Sequence, residues 1–154
     1  MPVSAFDEFD HEAHMQRAFE RARAAVDRSD RPFGSVLVRD DEIVMEASNR
    51  VRTESDVRRH PELQLAHRAM RECDSDERAE IVLCTSTEPC PMCAGGLQYA
   101  GLGKVVYSVS SEEMNRFSGH EVSVRSGEIL SGVTEVVGPI CQEEGLAIHE
   151  DFDW

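Results

Sequence analysis

Two short stretches, His60-Pro61-Glu62 and Pro89-Cys90-Pro91-Met92-Cys93, constrain this chain more than anything else in it. Each carries a proline directly after a side chain that binds metals. Proline is pre-organised for the first position of a helix, so each stretch reads as a helix start. Two thiols separated by two residues, plus a distant imidazole, supply three soft-to-borderline donors, a set that suits a zinc ion keeping one position open for water. If His60, Cys90 and Cys93 share one ion, two helix N-termini meet there. Their partial positive charge favours the thiolate forms that bind metal.

Glu62 turns a metal site into a statement about reaction type. Residues two apart do not share a face of a regular helix, so His60 and Glu62 approach one centre only if His60 sits at the cap, outside helical dihedrals. A carboxylate beside metal-bound water, and not itself a ligand, can take a proton from it and pass it on. Each piece alone has a plainer reading: a Cys-x-x-Cys as a structural zinc half-site or redox pair, a His-x-Glu as chance. Their joint occurrence, in this order and with helix-start chemistry at both, favours the catalytic reading.

His60-x-Glu62 followed by Pro89-Cys90-x-x-Cys93 resembles the signature of the zinc-dependent cytidine deaminase superfamily. The form Pro-Cys-Pro-Met-Cys-Ala-Gly, the pair Phe33-Gly34 and the aromatic tail resemble the branch holding guanine deaminases, cytosine deaminases and transfer-RNA adenosine deaminases. The superfamily usually has Ala between the His and the Glu. Pro61 stands there in this chain, which fits a first helical turn and reshapes the adjoining pocket wall.

The formal net charge of the 154 residues is −14, and Lys104 is the only lysine. Such a surface repels phosphate backbones, which counts against nucleic acid and favours a small-molecule partner. Acidic, lysine-poor surfaces also suit a very salty cytoplasm, where charge is screened within a few ångströms, so habitat is a second explanation of the same numbers. The length fits one domain over 1–154. No apolar run is long enough to cross a bilayer and no signal-peptide pattern opens the chain, so a cytoplasmic location without membrane contact is expected. Cys73, Cys84 and Cys141 are then expected as small core residues in a reducing compartment.

Apolar residues at Met15, Ala18, Phe19, Ala22 and Val26 recur at helical spacing, giving a helix from His11 to about Arg28. Strands are expected at Ser35–Arg39 and Glu42–Ala47, joined as a hairpin by Asp40-Asp41. A polar loop spans Arg52 to Arg59, and a helix from Pro61 to about Glu72 carries Glu62 inward. Asp74 to Glu77 reads as a solvated loop and Ala79–Thr85 as a buried strand delivering the cysteine pair. Further on come a helix over Pro91–Ala100, a strand at Lys104–Val109, a short helix capped at Ser110, a strand at Val133–Val137, and a last helix beginning at Pro139. With the resemblance, this α-β-β-α-β-α-β-α-β-α order implies an α/β protein, a three-layer α/β/α sandwich with a mixed five-stranded sheet.

The resemblance also implies substrate contacts. Asn49 falls where the family has an Asn that hydrogen-bonds the substrate, although Asn is also a common turn-former. Phe33, like Pro89 beside the first cysteine, falls among the residues that wall the pocket; for Phe33 ordinary core packing is the alternative. A C-terminal segment closes over the pocket in related base deaminases, which points to Phe152 or Trp154 stacking on a base and Asp151 or Asp153 contacting its polar edge. The alternative is a frayed terminus. Guanine-type members use an acidic residue after the fourth strand, and Asn115 to Glu121 offers no secure counterpart.

The expected function is zinc-dependent hydrolytic deamination of a nucleobase or nucleoside, with Glu62 catalytic, His60, Cys90 and Cys93 as ligands, and a homodimer as the family's common assembly. Editing of adenosine in transfer RNA is the alternative, with Arg50, Arg52, Arg58 and Arg59 as its approach surface. A non-enzymatic zinc module is the third reading.

Overall fold

A computed structural model describes residues 6–119 and 121–154. Helix α1, His11–Asp27, starts at Asp10, whose carboxylate accepts a hydrogen bond from the Ala13 amide, and turns Met15, Ala18, Phe19 and Ala22 inward. Strands β1, Gly34–Arg39, and β2, Glu42–Ser48, pair antiparallel. Asp40 and Asp41 both take positive φ, as a two-residue hairpin turn requires. A one-turn helix α2, Val51–Glu54, and a turn of 3-10 helix at Val57–Arg59 replace the expected polar loop. The buried carboxylate of Asp30 explains this order: it accepts from the amides of Arg52 and Thr53 and from the Thr53 hydroxyl.

Helix α3, Pro61–Glu72, follows, and then α4, Ser75–Arg78. The segment read as a solvated loop is thus helical, because Asp74 and Glu77 form a reciprocal capping box. That turn also shortens the next strand, so β3 is Val82–Thr87 and begins three residues later than expected. Helix α5, Pro91–Ala100, ends at Gly101 in the left-handed region. Strand β4 is Lys104–Val109, α6 is Ser111–Ser118 and α7 is Ser126–Ile129, the last absent from the sequence reading. Strand β5 is Glu135–Val137, shorter than expected, and α8 is Gln142–Glu150. Pro139 does not open α8. The Ile140 amide instead donates to the Tyr107 carbonyl and the Ser108 hydroxyl to that of Cys141, which ties this segment to β4 before the helix can begin.

Among the described residues the strands form one sheet in the order β2-β1-β3-β4-β5. β1 runs antiparallel to both its neighbours, while β3, β4 and β5 are parallel, so the sheet is mixed. Alternation along the strands separates two cores. Leu37, Leu83 and Val105 pack under α3 and α5 with Leu65, Ala69 and Leu97, while Val36, Cys84 and Val106 pack under α1 with Met15, Phe19 and Ala22. The result is the expected α/β/α sandwich. Cys84 is buried in the second core, and Cys73 and Cys141 sit half-buried at the edges, all as free thiols.

Gly34 is where α1 presses closest to the sheet. A Cβ at this position would lie 2.3 Å from the Ala22 amide nitrogen and 2.4 Å from the Ala18 carbonyl oxygen, both backbone atoms that cannot swing away. Gly34→Ala should therefore push α1 off β1 and lower stability by about 1–3 kcal/mol, read as a lower melting temperature. An unchanged melt would mean that α1 is free to shift.

Candidate active site

The site lies where β3 ends and where α3 and α5 begin. His60 is the N-cap of α3 with φ −61° and ψ 137°, an extended conformation, followed by Pro61 at the first helical position. The geometric demand set by the His-x-Glu spacing is met, since the cap turns the imidazole toward the centre that Glu62 approaches from inside the helix. Cys90 repeats the device as the N-cap of α5, with φ −68° and ψ 166°, followed by Pro91. Cys93 sits in the first turn of α5 and is fully buried.

One ring nitrogen of His60 and the two sulfurs lie within 4.8 Å of one another. The His60 Nδ1 to Cys90 Sγ distance is 3.8 Å, close to the roughly 3.5–3.8 Å that separates two such donors on a tetrahedral zinc ion. The donor chemistry and the spacing both fit that ion. In the ligand set itself, a hydrogen bond from Cys93 holds the Cys90 thiol down at about 4, and Cys93, as donor and as a buried group, is pushed well up. His60 is raised by its bond to Cys90. A divalent cation held by His60, Cys90 and Cys93 would favour the thiolate form of both sulfurs.

Glu62 is 4% exposed. Burial pushes its carboxyl group above the ordinary range, against the opposing pull of His60 and of the hydroxyls of Thr85 and Ser35. A cavity of about 220 Å³ opens over His60, Glu62 and Cys90. Arg31 and Phe33 form one wall, and Met114, Asn115, Ser118 and Val122 the other. A larger hollow of about 420 Å³ runs along the outer side of α3 past Arg58, Gln64 and His67, but none of the three donor residues lines it.

The structure brings His60, Glu62, Cys90, Cys93 and Phe33 to one place and sets the other candidates around them. Asn49 is buried behind the cavity wall, where its Nδ2 donates to the Arg31 carbonyl at 3.3 Å and its Oδ1 accepts from the Val51 amide at 3.1 Å. Pro89 is buried and does not line the cavity. The tail is folded, not frayed. Trp154 Nε1 donates to the His149 carbonyl, and its ring packs on Phe33, Phe117, His149 and Phe152 with the Arg31 guanidinium 5.3 Å above it. Trp154 thus backs the cavity wall through Phe33 and Arg31, while Asp151 and Asp153 are exposed.

Two features escaped the sequence. His149 is the buried centre of that aromatic group, and burial depresses its imidazole to about 4, so it is neutral near pH 7. Glu88 binds the far wall together: it accepts from the Ser111 amide, from the Ser126 amide and hydroxyl, and from Arg125 at 2.8 Å. Burial works to raise this carboxyl group, yet those bonds outweigh it and hold it down at about 2. A carboxylate directly after β3, beside the cysteine pair, was the available signal. Its partners lie too far along the chain to be read.

A mixed sheet sandwiched by helices, with a carboxylate beside a His/Cys/Cys donor set at two helix starts, is the arrangement of a nucleobase-type hydrolytic deaminase. Residues 9–137 match the family model described as MafB19-like deaminase, and the chain belongs to that family. It is 29% identical to a probable cytosine deaminase of Schizosaccharomyces pombe over 91% of this chain and 90% of that protein. It is 28% identical to a tRNA-specific adenosine deaminase of Agrobacterium fabrum, over 90% and 87%. A solved guanine deaminase from Nitrosomonas europaea shares the fold, with a TM-score of 0.77 at 19% identity, covering 98% of this chain and 92% of that one. The chain is a hydrolytic C–N deaminase.

Proposed function

We infer that this deaminase releases ammonia from a free nucleobase or a nucleoside, with a free base such as cytosine or guanine favoured. The observation that carries this reading is the cavity itself. At about 220 Å³ it lies below the ~300–1,000 Å³ common for drug-sized ligands, which suits a heterocycle with little attached. Its floor holds the acid–base group, and its walls set Phe33, Met114 and Val122 among the polar side chains of Arg31, Asn115 and Ser118.

His60, Cys90 and Cys93 would hold zinc. When bound, the ion acts as a Lewis acid that lowers the pKa of water at its open position to near neutrality. Glu62 accepts a proton from the attacking water and delivers it to a ring nitrogen as the amino-bearing carbon is attacked. It carries the second proton to the amino group, the carbon–nitrogen bond breaks, and ammonia leaves with a carbonyl formed in its place. Phe33, backed by Trp154, holds the ring plane and keeps bulk water out.

Guanine is supported less than cytosine, because from the segment after β4 the cavity takes Asn115 and Ser118, whereas Glu121 is exposed. The transfer-RNA reading draws on the relatives. Against it, Arg58 is engaged by Asp56 and Arg59 by Glu54 and Asp56, so two of the four arginines in its approach surface are neutralised. An ammonia-release screen over cytosine, guanine, adenine, their nucleosides and a transfer RNA, at low and high salt, separates the readings. Turnover of the transfer RNA alone would overturn the free-base reading, and activity that rises with salt would support the saline-habitat explanation of the charge.

Truncation before Asp151 should uncover Phe33 and Phe117 and raise KM several-fold more than it lowers kcat. Unchanged affinity and turnover would remove any role for the tail. A homodimer is supported by the exposed side chains Tyr99, Met70 and Met92 on the outer side of α3 and α5. Sedimentation as a monomer under assay conditions would discount it. No helix among the described residues is long and apolar enough to cross a membrane.

A further inference from the structure

Ser35 and Thr85 stand directly opposite each other across the antiparallel β1–β3 pair and are both fully buried. Two residues further along the same strands, on the same face, Leu37 and Leu83 fill the core under α3 and α5. Hydroxyls in a layer that otherwise takes leucine are costly unless they find partners. Buried hydroxyls elsewhere in this protein take separate acceptors: Ser108 donates to the Cys141 carbonyl at 3.0 Å, Thr134 to that of Leu102 at 2.7 Å, and Ser126 to the Glu88 carboxylate at 2.7 Å. Ser35 and Thr85 converge on one and the same carboxylate oxygen. Glu62 Oε1 lies 3.0 Å from Thr85 Oγ1 and 3.1 Å from Ser35 Oγ, and the two hydroxyl oxygens are 2.8 Å apart.

Two hydroxyl protons serve three oxygen pairs, so either both hydroxyls donate to Oε1 or one hydroxyl donates to the other, which donates to Oε1. Both patterns commit Oε1 to the sheet. Oε2 is left as the oxygen that exchanges protons in the cavity, and the side chain keeps one rotamer because its other oxygen is anchored to two strands. A carboxylate that must reach first an attacking water and then a departing amino group gains from such an anchor, since proton transfer is sensitive to sub-ångström placement.

We propose that Ser35 and Thr85 are positioning residues for the deamination, holding Glu62 by one oxygen so that the other faces the reacting atoms. This rests on the reading of Glu62 as the proton carrier. The test compares Ser35→Ala, Thr85→Val and their double variant on the free base turned over fastest in the screen above, with Ser108→Ala as a buried-hydroxyl control. The double variant should lose roughly 10–100-fold in kcat, as supporting hydrogen bonds around active groups commonly do, with KM and zinc content unchanged. Thr85→Ser, which keeps the hydroxyl, should retain most of the activity that Thr85→Val loses. A crystal structure of the double variant should show the Glu62 carboxylate displaced or in several rotamers. An undiminished kcat, an equal loss in Ser108→Ala, or Glu62 unmoved in the variant structure would each overturn the proposal, and Ser35→Ala alone decides it if Thr85→Val does not fold. Should Glu62→Gln itself stay active, the proton-carrier reading fails first; should that variant be dead while the hydroxyl variants are normal, only the positioning role fails.

Discussion

Glu62→Gln should abolish turnover by about 10²–10⁴-fold, the range a positioned general acid–base contributes, while leaving zinc content and fold intact. Glutamine has the same length and shape, and its amide oxygen can still accept from Thr85 and Ser35 in place of Oε1. What it lacks is a group that can take up a proton and give it back. With Glu62 only 4% exposed, bulk water has little room to substitute for the lost group. The melting temperature should equal or exceed that of the wild type, because burial already penalises the ionised carboxylate and a neutral amide removes that penalty. The discriminating measurements are ammonia release, metal content and thermal unfolding on one preparation. Turnover within about tenfold of wild type would remove Glu62 from the chemistry.

What the sequence discloses about this site depends on how far along the chain each cause reaches. His60 and Cys90 are legible because their helix-start geometry is encoded in the next residue, Pro61 or Pro91, and the structure places both at N-caps. The Asp40-Asp41 turn is legible for the same local reason. Pro139 carries the same local signal but begins no helix, since its segment answers instead to hydrogen bonds from β4, a partner more than thirty residues away. Asp74 to Glu77 misleads in the opposite sense. Four charged or polar residues resemble a loop in composition, although a capping box is written in their order. Ser35 and Thr85, fifty residues apart, become neighbours only through strand register, and Glu88 meets Arg125 only after α6 and α7 have folded. For Trp154 the sequence leaves a closing tail and a frayed end both open, because nothing adjacent in the chain announces the ring of Phe33 against which it packs.

Replacing Cys93 by Ala should cost the enzyme its metal, nearly all of its activity and a measurable part of its stability. Cys93 is the most buried of the three donors, so its loss leaves a void that no outside ligand fills easily. Zinc bound by the remaining His60 and Cys90 would keep only one sulfur and one nitrogen, short of the three protein ligands usual in catalytic sites. Because α3 and α5 meet at these donors, an ion that binds only the folded state also contributes to holding the two helix starts together. At a hundredfold excess over its dissociation constant such an ion adds about 2.7 kcal/mol, equivalent to roughly 5–10 °C in melting temperature for a domain of this size. A strong chelator should reproduce the effect in the wild type, with activity and melting temperature recovering together when zinc is restored. In the Cys93→Ala variant neither should recover at equal zinc. The two readouts separate the roles: a site that only braces the fold would lose melting temperature without any catalytic change on partial metal removal, whereas a catalytic ion makes activity fall in proportion to occupancy. Undiminished activity after complete removal of zinc would leave His60, Cys90 and Cys93 without their assigned purpose, and with it the reason for two proline-led helices to converge on one carboxylate.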